Sequence, residues 1–376
     1  MCIRDSLNTV RLRDCSLFRL VVLVLLPAAV IIYACNMGNY YSAMVSTFAI
    51  NVLLAASLNL VNGFSGMFSM GHAAFMAVGA YISAFLTLSP SQKASMLPGL
   101  PQWLTDLQLP LLVALIFCGL AAAFVALLIG IPVLRFKGHY LSVATLGLIV
   151  IVRAVLDNSD SITNGPRGIT GLPKLASAPI IFFVLLLSLF IMFRLIRSQY
   201  GRGLIAMRDD DVAAQSLGIN LTVKKISIFC ISAFFAGVAG ALWGHVQTVI
   251  SGQFFYFSMS FEIVQISIIG GMSSLSGAAI GALFMTFVPE LLAPLESGFE
   301  IFGTTLPSLY GLSNIIMAVF LILVIIFRRQ GLFGSSEILL ESWFSKATYL
   351  SPFKKSEYKK LAAAFKRKPK LLRKGK

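Results

Sequence analysis

From Leu17 to Phe327 the chain keeps returning to apolar runs of about twenty residues, the length at which a helix crosses the hydrocarbon core of a bilayer. Inside a bilayer every backbone N–H and C=O must find its partner within the chain, so runs of this kind read as helices. The predicted spans are Leu17–Cys35, Tyr40–Val61, Ala73–Leu88, Leu111–Leu134, Tyr140–Leu156, Ile180–Ile196, Ile226–Ile250, two arms within Phe261–Pro294, and Leu306–Phe327. The expected fold is all-α: a polytopic integral membrane bundle of about ten transmembrane segments, some broken by glycine or re-entrant. Composition agrees, since only 12% of residues are charged, against about a quarter in soluble domains.

The connections carry the remaining information. Gly63 to Gly71 is a Gly/Ser-rich break, and Ser89 to Pro110 a Pro-rich connection with Trp103 suited to a membrane interface. Asp157 to Pro179 is a loop dense in Asp, Asn, Gly and Pro. Lys and Arg gather before the first span, at Arg135 and Lys137, between Arg194 and Lys225, and from Arg328 onward. The intervening loops carry Asp106, Asp157, Asp160, Glu296 and Glu300 with few bases. The positive-inside rule then places both termini and the 198–224 loop in the cytoplasm. The net charge of +15 is concentrated at the end, with eleven Lys/Arg from Lys354 on. Nucleic acid is not the expected partner, because bases elsewhere are confined to loops and helix ends.

Three domains follow: 1–16, a cytoplasmic N-terminus; 17–333, the membrane domain; and 334–376, a basic cytoplasmic tail. The opening MCIRDS, residues 1–6, is foreign in character and reads as a translated sequencing-adapter remnant. In the tail, SEILLESWF reads as an interfacial helix drawn to anionic lipid or as part of a solubilising extension. Cys2, Cys15, Cys35, Cys118 and Cys230 are scattered, as are His72, His139 and His245, so no metal site is expected.

The longest polar interruption is GRGLIAMRDDDVAAQSLGIN, Gly201 to Asn220. Asp209, Asp210 and Asp211 suit the first turn of one short helix. Val212, Ala213, Ala214 and Leu217 would form its apolar stripe, and Gly218 its left-handed cap. Such a helix serves a docking partner or is an ordinary solvated loop. There is also an internal echo. Gly66, Met67, Ser69, Ala73 and Ala74 align without gaps on Gly271, Met272, Ser274, Ala278 and Ala279. Gly-broken segments in corresponding halves point to a transport path, although small residues are common in membrane helices anyway. Asn51, Asn59 and Asn62 lie near helical spacing, suited to bonding neighbouring helices. Arg153, Glu262 and Gln265 sit near helix ends as interfacial anchors.

Four stretches in order carry a resemblance: NLVNGFSGMFSMGHAAFMAVGAY, then GHYLSVATLGLIVIVRAV with NGPRGITGLP, then the 201–220 loop, then ISIIGGMSSLSGAAIGALF, with RRQGLFG closing the region. Together they resemble the membrane subunits of branched-chain amino acid ABC importers, and most closely the second of the two non-identical permeases. The resemblance implies a bacterial inner-membrane, multi-pass protein that imports branched-chain amino acids, with urea or short amides as the rival solutes. It implies two ABC ATPase subunits, a second homologous permease in a heterodimer, an extracytoplasmic solute-binding protein and surrounding membrane lipid as partners. ATP and magnesium would bind those ATPases and no cofactor would bind this chain, which has no P-loop and is not expected to be an enzyme. It assigns Gly201, Arg202, Arg208, Asp211, Ala213, Ala214 and Gly218 to ATPase coupling. Asn62, Gly66, Ser69, Gly71, His72, Gly270, Gly271, Ser274 and Gly277 are candidates for the translocation path, His72 also fitting plain structural packing. An ion-coupled secondary transporter is the reading from another class. Paired intramembrane carboxylates would favour it, and none is seen.

The charge asymmetry predicts that a cysteine at Ser161 reacts with an impermeant maleimide from outside intact cells, while one at Ser216 reacts only after permeabilisation. The reverse pattern would invert the topology.

Overall fold

The computed structural model describes residues 38–134, 140–297, 300–301, 304–305, 311–328 and 331–332. The expected first span, the basic turn at Arg135 and Lys137, Leu306 to Tyr310 and the basic tail lie outside the described residues. The chain runs through α1 (Asn39–Asn59), a π-helical turn (Leu60–Phe64), α2 (His72–Thr87), α3 (Pro90–Met96), α4 (Gln102–Asp106), α5 (Leu111–Val133) and α6 (Tyr140–Asp157). It continues through α7 (Asp160–Thr163), β1 (Ile169–Thr170), α8 (Ala178–Arg197), α9 (Gln199–Asp209), α10 (Asp211–Ser216), α11 (Leu221–Gln247) and β2 (Val249–Ile250). Then come α12 (Phe257–Gly270), α13 (Leu275–Ser297), the strands β3 (Glu300–Ile301) and β4 (Thr304–Thr305), and α14 (Leu312–Phe327). Six of these elements are long and apolar enough to cross a membrane: α1 with its π turn, α5, α6, α8, α11 and the Leu275–Ala293 part of α13. The helices α2, α12 and α14 are apolar but shorter. Among the described residues six elements are of full spanning length and three are shorter, and the expected count of about ten is not tested by them, since the first expected span lies outside.

The core forms where small residues let helices touch backbone to backbone. A Cβ on Gly237 of α11 would come within 2.5 Å of the Ala122 Cβ and 2.9 Å of the Cys118 carbonyl oxygen on α5. A Cβ on Gly79 of α2 would overlap the Gly237 carbonyl, and one on Gly240 would overlap that of Met76. Lipid tails are as apolar as leucine, so dispersion at such close contacts, more than hydrophobic transfer, holds these helices together. α1 threads the middle, and every residue from Ala49 to Ser65 is buried. By contrast α5 presents Leu112, Ile116, Phe117, Leu120, Phe124 and Leu128 outward.

The connections sort to two ends. At one, β1 pairs antiparallel with β2, Ile169 opposite Ile250, and the Gly99 N–H donates to the Ser161 carbonyl at 2.8 Å. His245 Nδ1 lies 2.8 Å from the Pro173 carbonyl. A carbonyl only accepts, so Nδ1 carries the proton and Nε2 accepts from Ser83 Oγ at 3.2 Å. The Pro-rich connection folds into α3 and α4 at this end. Trp103 stands 70% exposed, while Lys93 is buried and donates to the carbonyls of Leu104 and Leu107. Burial holds the Lys93 ammonium below its ordinary pKa, partly opposed by Asp106. The glycine breaks and the 198–220 segment occupy the other end.

Overpacking in a tight core costs about 1–3 kcal/mol or more. Gly240→Leu is therefore expected to lower the thermal midpoint of the detergent-purified protein or prevent its accumulation. Gly147→Ala on α6, where an added Cβ meets nothing within 4 Å, should leave the midpoint unchanged. Fluorescence-detected size exclusion after heating compares the two.

Candidate functional site

The first break begins where α1 widens into the π turn, and the chain then runs non-helically through residues 65–71 before α2 starts. Each backbone group freed there needs a donor or acceptor. Asn62 supplies two contacts: its Oδ1 accepts from the Ser69 N–H at 2.9 Å and its Nδ2 donates to the Ser69 carbonyl at 3.1 Å. Thr145 Oγ1 accepts from the Met70 N–H at 3.0 Å. Ser142 Oγ donates to the Phe68 carbonyl at 2.7 Å, and Ser260 Oγ to that of Met70. Gly66 has φ +72, a conformation only glycine adopts without strain. Gly71 packs against Thr145.

His72 opens α2 and is 1% exposed. Its Nε2 lies 3.1 Å from Ser232 Oγ, whose own hydrogen goes to the Ser57 carbonyl at 2.5 Å. His72 Nε2 therefore carries the proton, the opposite tautomer from His245. The ring is buried, with Phe75 edge-on to it at 6.4 Å between centroids.

The second break, residues 271–274, lies directly against the first. Asn59, fully buried, donates to the carbonyls of Gly271 at 3.3 Å and Ser274 at 2.9 Å, and accepts from Ser267 Oγ. A Cβ on Gly63 would land on the Met272 carbonyl. Gly270 and Gly277 pack on one another's carbonyls, so α12 and α13 meet at a close crossing. Asn51 reaches Thr286 at 3.1 Å. The end of α1, the π turn that opens the first break, and the second break thus form one joint. Ser142, Thr145, Ser260 and Ser267 complete it, and as single hydroxyls in apolar runs they gave no signal in the sequence.

The 201–220 segment corrects the expectation of one short helix. It is two, parted at Asp210, whose extended backbone (φ −157, ψ 110) ends α9 and caps α10. Asp210 Oδ1 accepts from the N–H groups of Val212 at 2.8 Å and Ala213 at 3.0 Å. Three aspartates in a row left open which one would cap, and only the middle one turns out of the helix. Gly201 and Arg202 therefore belong to α9, Gly201 packing against the Ile196 backbone and Arg202 donating to the Arg197 carbonyl at 3.2 Å. Asp211 pairs with Lys225 at 3.1 Å. Gly218 has φ +80 and closes α10. The apolar stripe is also divided. Ala214 is buried, whereas Val212 and Leu217 are 73% and 78% exposed beside the exposed Ala213.

Arg208 joins this segment to the joint. Its Nη1 donates to the Gly63 carbonyl at 3.2 Å and to Ser273 Oγ at 3.3 Å. A Cβ on Gly66 would sit 2.7 Å from Arg208 Cγ. Asp209 Oδ1 holds the same guanidinium at 3.1 Å through Nη2 and balances its charge. One side chain thus touches both breaks from the segment that displays Val212 and Leu217.

A family model described as "Branched-chain amino acid transport system / permease component" matches residues 40–327. The chain is 32% identical over 317 residues to the high-affinity branched-chain amino acid transport system permease protein LivM of Salmonella typhimurium, which covers 75% of this chain and 67% of that relative. LivM of Escherichia coli gives the same figures. LivH of Escherichia coli is 27% identical over 322 residues, 78% of this chain and 93% of the relative. No solved structure matches the chain.

Hydrogen bonds from a charged donor contribute about 1.5–3 kcal/mol. Arg208→Ala should therefore raise amide hydrogen exchange across residues 63–71 and 271–274 by about ten- to a hundredfold. Arg208→Lys, which can keep one of the two contacts, should fall between. Unchanged exchange in Arg208→Ala would mean that the breaks hold without it.

Proposed function

Since the chain belongs to the branched-chain amino acid transport system permease family, we propose that it is the LivM-type membrane subunit of an ABC importer carrying leucine, isoleucine and valine into the cell. The observation that carries the mechanism is Arg208, which runs from the exposed α9–α10 segment to both glycine breaks. The family match takes in the whole of that arrangement. Identity to LivM, at 32%, exceeds that to LivH, at 27%. Urea or short amides are not favoured, because both of these relatives are permeases of a branched-chain amino acid system.

The importer reading supplies the other parts. Two ATPase subunits bind ATP and magnesium and perform the hydrolysis, and a LivH-like chain is the second permease. A solute-binding protein outside the inner membrane delivers the amino acid. Both termini, the 198–224 loop and the basic tail face the cytoplasm, in keeping with the loop charges. Val212, Ala213 and Leu217 are the surface offered to an ATPase groove. Large apolar side chains this exposed on a polar segment suit a protein partner. Closure of the ATPases displaces α10. Arg208 carries the displacement to Gly63, Gly66 and Ser273, and the joint between the breaks reopens the path on the other side.

Ala213→Trp should leave membrane insertion intact yet reduce ATP-driven leucine uptake by about tenfold or more in liposomes holding the full complex, as overpacking of a tight contact requires. Wild-type uptake would reject α10 as the docking helix. The chain alone, under a proton or sodium gradient, should accumulate no leucine. Accumulation there would favour the secondary-transporter reading instead.

A further inference from the structure

The outer face of α8 and the start of α9 form a feature that the coupling path through Arg208 does not use. Phe183, Leu187, Phe190 and Ile191 stand exposed in one strip along α8, and Arg194, also exposed, continues that strip toward the helix end. Arg197 follows at the last residue of α8, its guanidinium 4.5 Å over the Phe193 ring. The chain then turns at Ser198, which ends α8 and accepts from the Gly201 N–H at 3.3 Å to open α9. Gly201 packs on the backbone of Ile196, so α9 starts hard against the last turn of α8. Arg202, exposed near the start of α9, turns back and donates from Nη1 to the Arg197 carbonyl at 3.2 Å. Two helices thereby bring arginines to one elbow.

Between Asp160 and Glu262 the only carboxylates in the sequence are Asp209, Asp210 and Asp211. Asp209 holds Arg208, Asp210 caps α10, and Asp211 pairs with Lys225. Among the described residues, Arg194 and Arg202 make no ion pair. Basic side chains left uncompensated at the end of a membrane span attract anionic headgroups. The apolar strip specifies the rest of the ligand. Helices that pack together in this protein do so through Gly79, Gly237 and Gly240, whereas the strip offers large side chains that keep another helix at a distance. From Phe183 to Arg194 it runs about 17 Å at roughly 1.5 Å per residue, close to half of the roughly 30 Å hydrocarbon core. That is the depth of one leaflet, and so the reach of a phospholipid's acyl chains. We infer that the α8–α9 elbow is a binding site for an anionic phospholipid, with Arg194 and Arg202 on its headgroup and Phe183, Leu187, Phe190 and Ile191 along its acyl chains. Arg197 positions Arg202 through its carbonyl. Because the headgroup touches both helices, the lipid braces the elbow from which the Arg208 segment extends. The assignment does not depend on which solute the importer carries.

The assembled complex, with the second permease and both ATPases, is placed in phosphatidylcholine nanodiscs. They contain a small share of a phosphatidylglycerol probe that carries a diazirine in its acyl chain, and the photolabelled peptides are mapped. Wild type should be labelled within residues 183–191 about fivefold or more above the level given by a phosphatidylcholine probe of the same chains. Arg194→Gln combined with Arg202→Gln should bring phosphatidylglycerol labelling there down to the phosphatidylcholine level. Arg328→Gln, which removes an exposed arginine at the end of α14, should leave it unchanged. Unlabelled phosphatidylglycerol should compete, and glycerol phosphate at the same concentration should not. Equal labelling by the two probes would reduce the strip to ordinary annular contact and overturn the site. An equal loss in Arg328→Gln would overturn it in favour of general surface charge, and competition by glycerol phosphate in favour of a free phosphate. No labelling by either probe would overturn it and mark the strip as covered by the second permease. Should the double variant fail to accumulate, Arg194→Gln alone, expected to lower phosphatidylglycerol labelling by about threefold or more, decides together with the probe comparison on wild type.

Discussion

A backbone that leaves its helix inside a membrane protein has no water to turn to, and the region around Gly66 depends on how that need is met. Residues 65–71 carry peptide groups that the helical ladder cannot pair. Asn62, Ser142, Thr145 and Ser260 pair them from the side, three of the four from other helices. A buried peptide group left unpaired costs about 1–3 kcal/mol, so these side chains determine the path of the break. The second break is treated alike, through Asn59. Because each break is held by groups outside it, a movement of the holders is a movement of the break. Arg208, which bonds to both, is the side chain through which the 198–220 segment contacts them.

The helices were plain in the sequence, because an apolar run has little freedom in where it starts and stops in a bilayer. Leu111–Leu134 was expected and Leu111–Val133 is found. Their faces were not plain. On α5, Leu112 is 52% exposed and Leu115 4% exposed, three positions apart and chemically identical. In a soluble helix the outward residue would be polar. In a bilayer the outer surface is as apolar as the core, and the periodic signal disappears. What marks the inner face is residue size, Gly79, Gly119, Gly237 and Gly240, and size alone does not say which helix will approach.

The candidate site was legible in the same partial way. Asp209 to Asp211 announced a helix start and Gly218 a helix end. The three aspartates nevertheless act differently: Asp209 holds Arg208, Asp210 caps α10, and Asp211 pairs with Lys225. No local rule assigns those roles, because two of the three partners are fixed by side-chain placement rather than helix position.

The partners of Asn59 have a consequence for how the protein is made. Asn59 ends the most enclosed helix, yet its amide is satisfied by Ser267, Gly271 and Ser274, more than two hundred residues downstream in the chain. Synthesis proceeds at about 5–20 residues per second. For many seconds, then, a nascent chain carries a polar amide in a membrane helix whose covering elements do not yet exist. The first half cannot close on itself, and α1 has to wait, shielded by lipid, translocon or chaperone, until α12 and α13 arrive to enclose it.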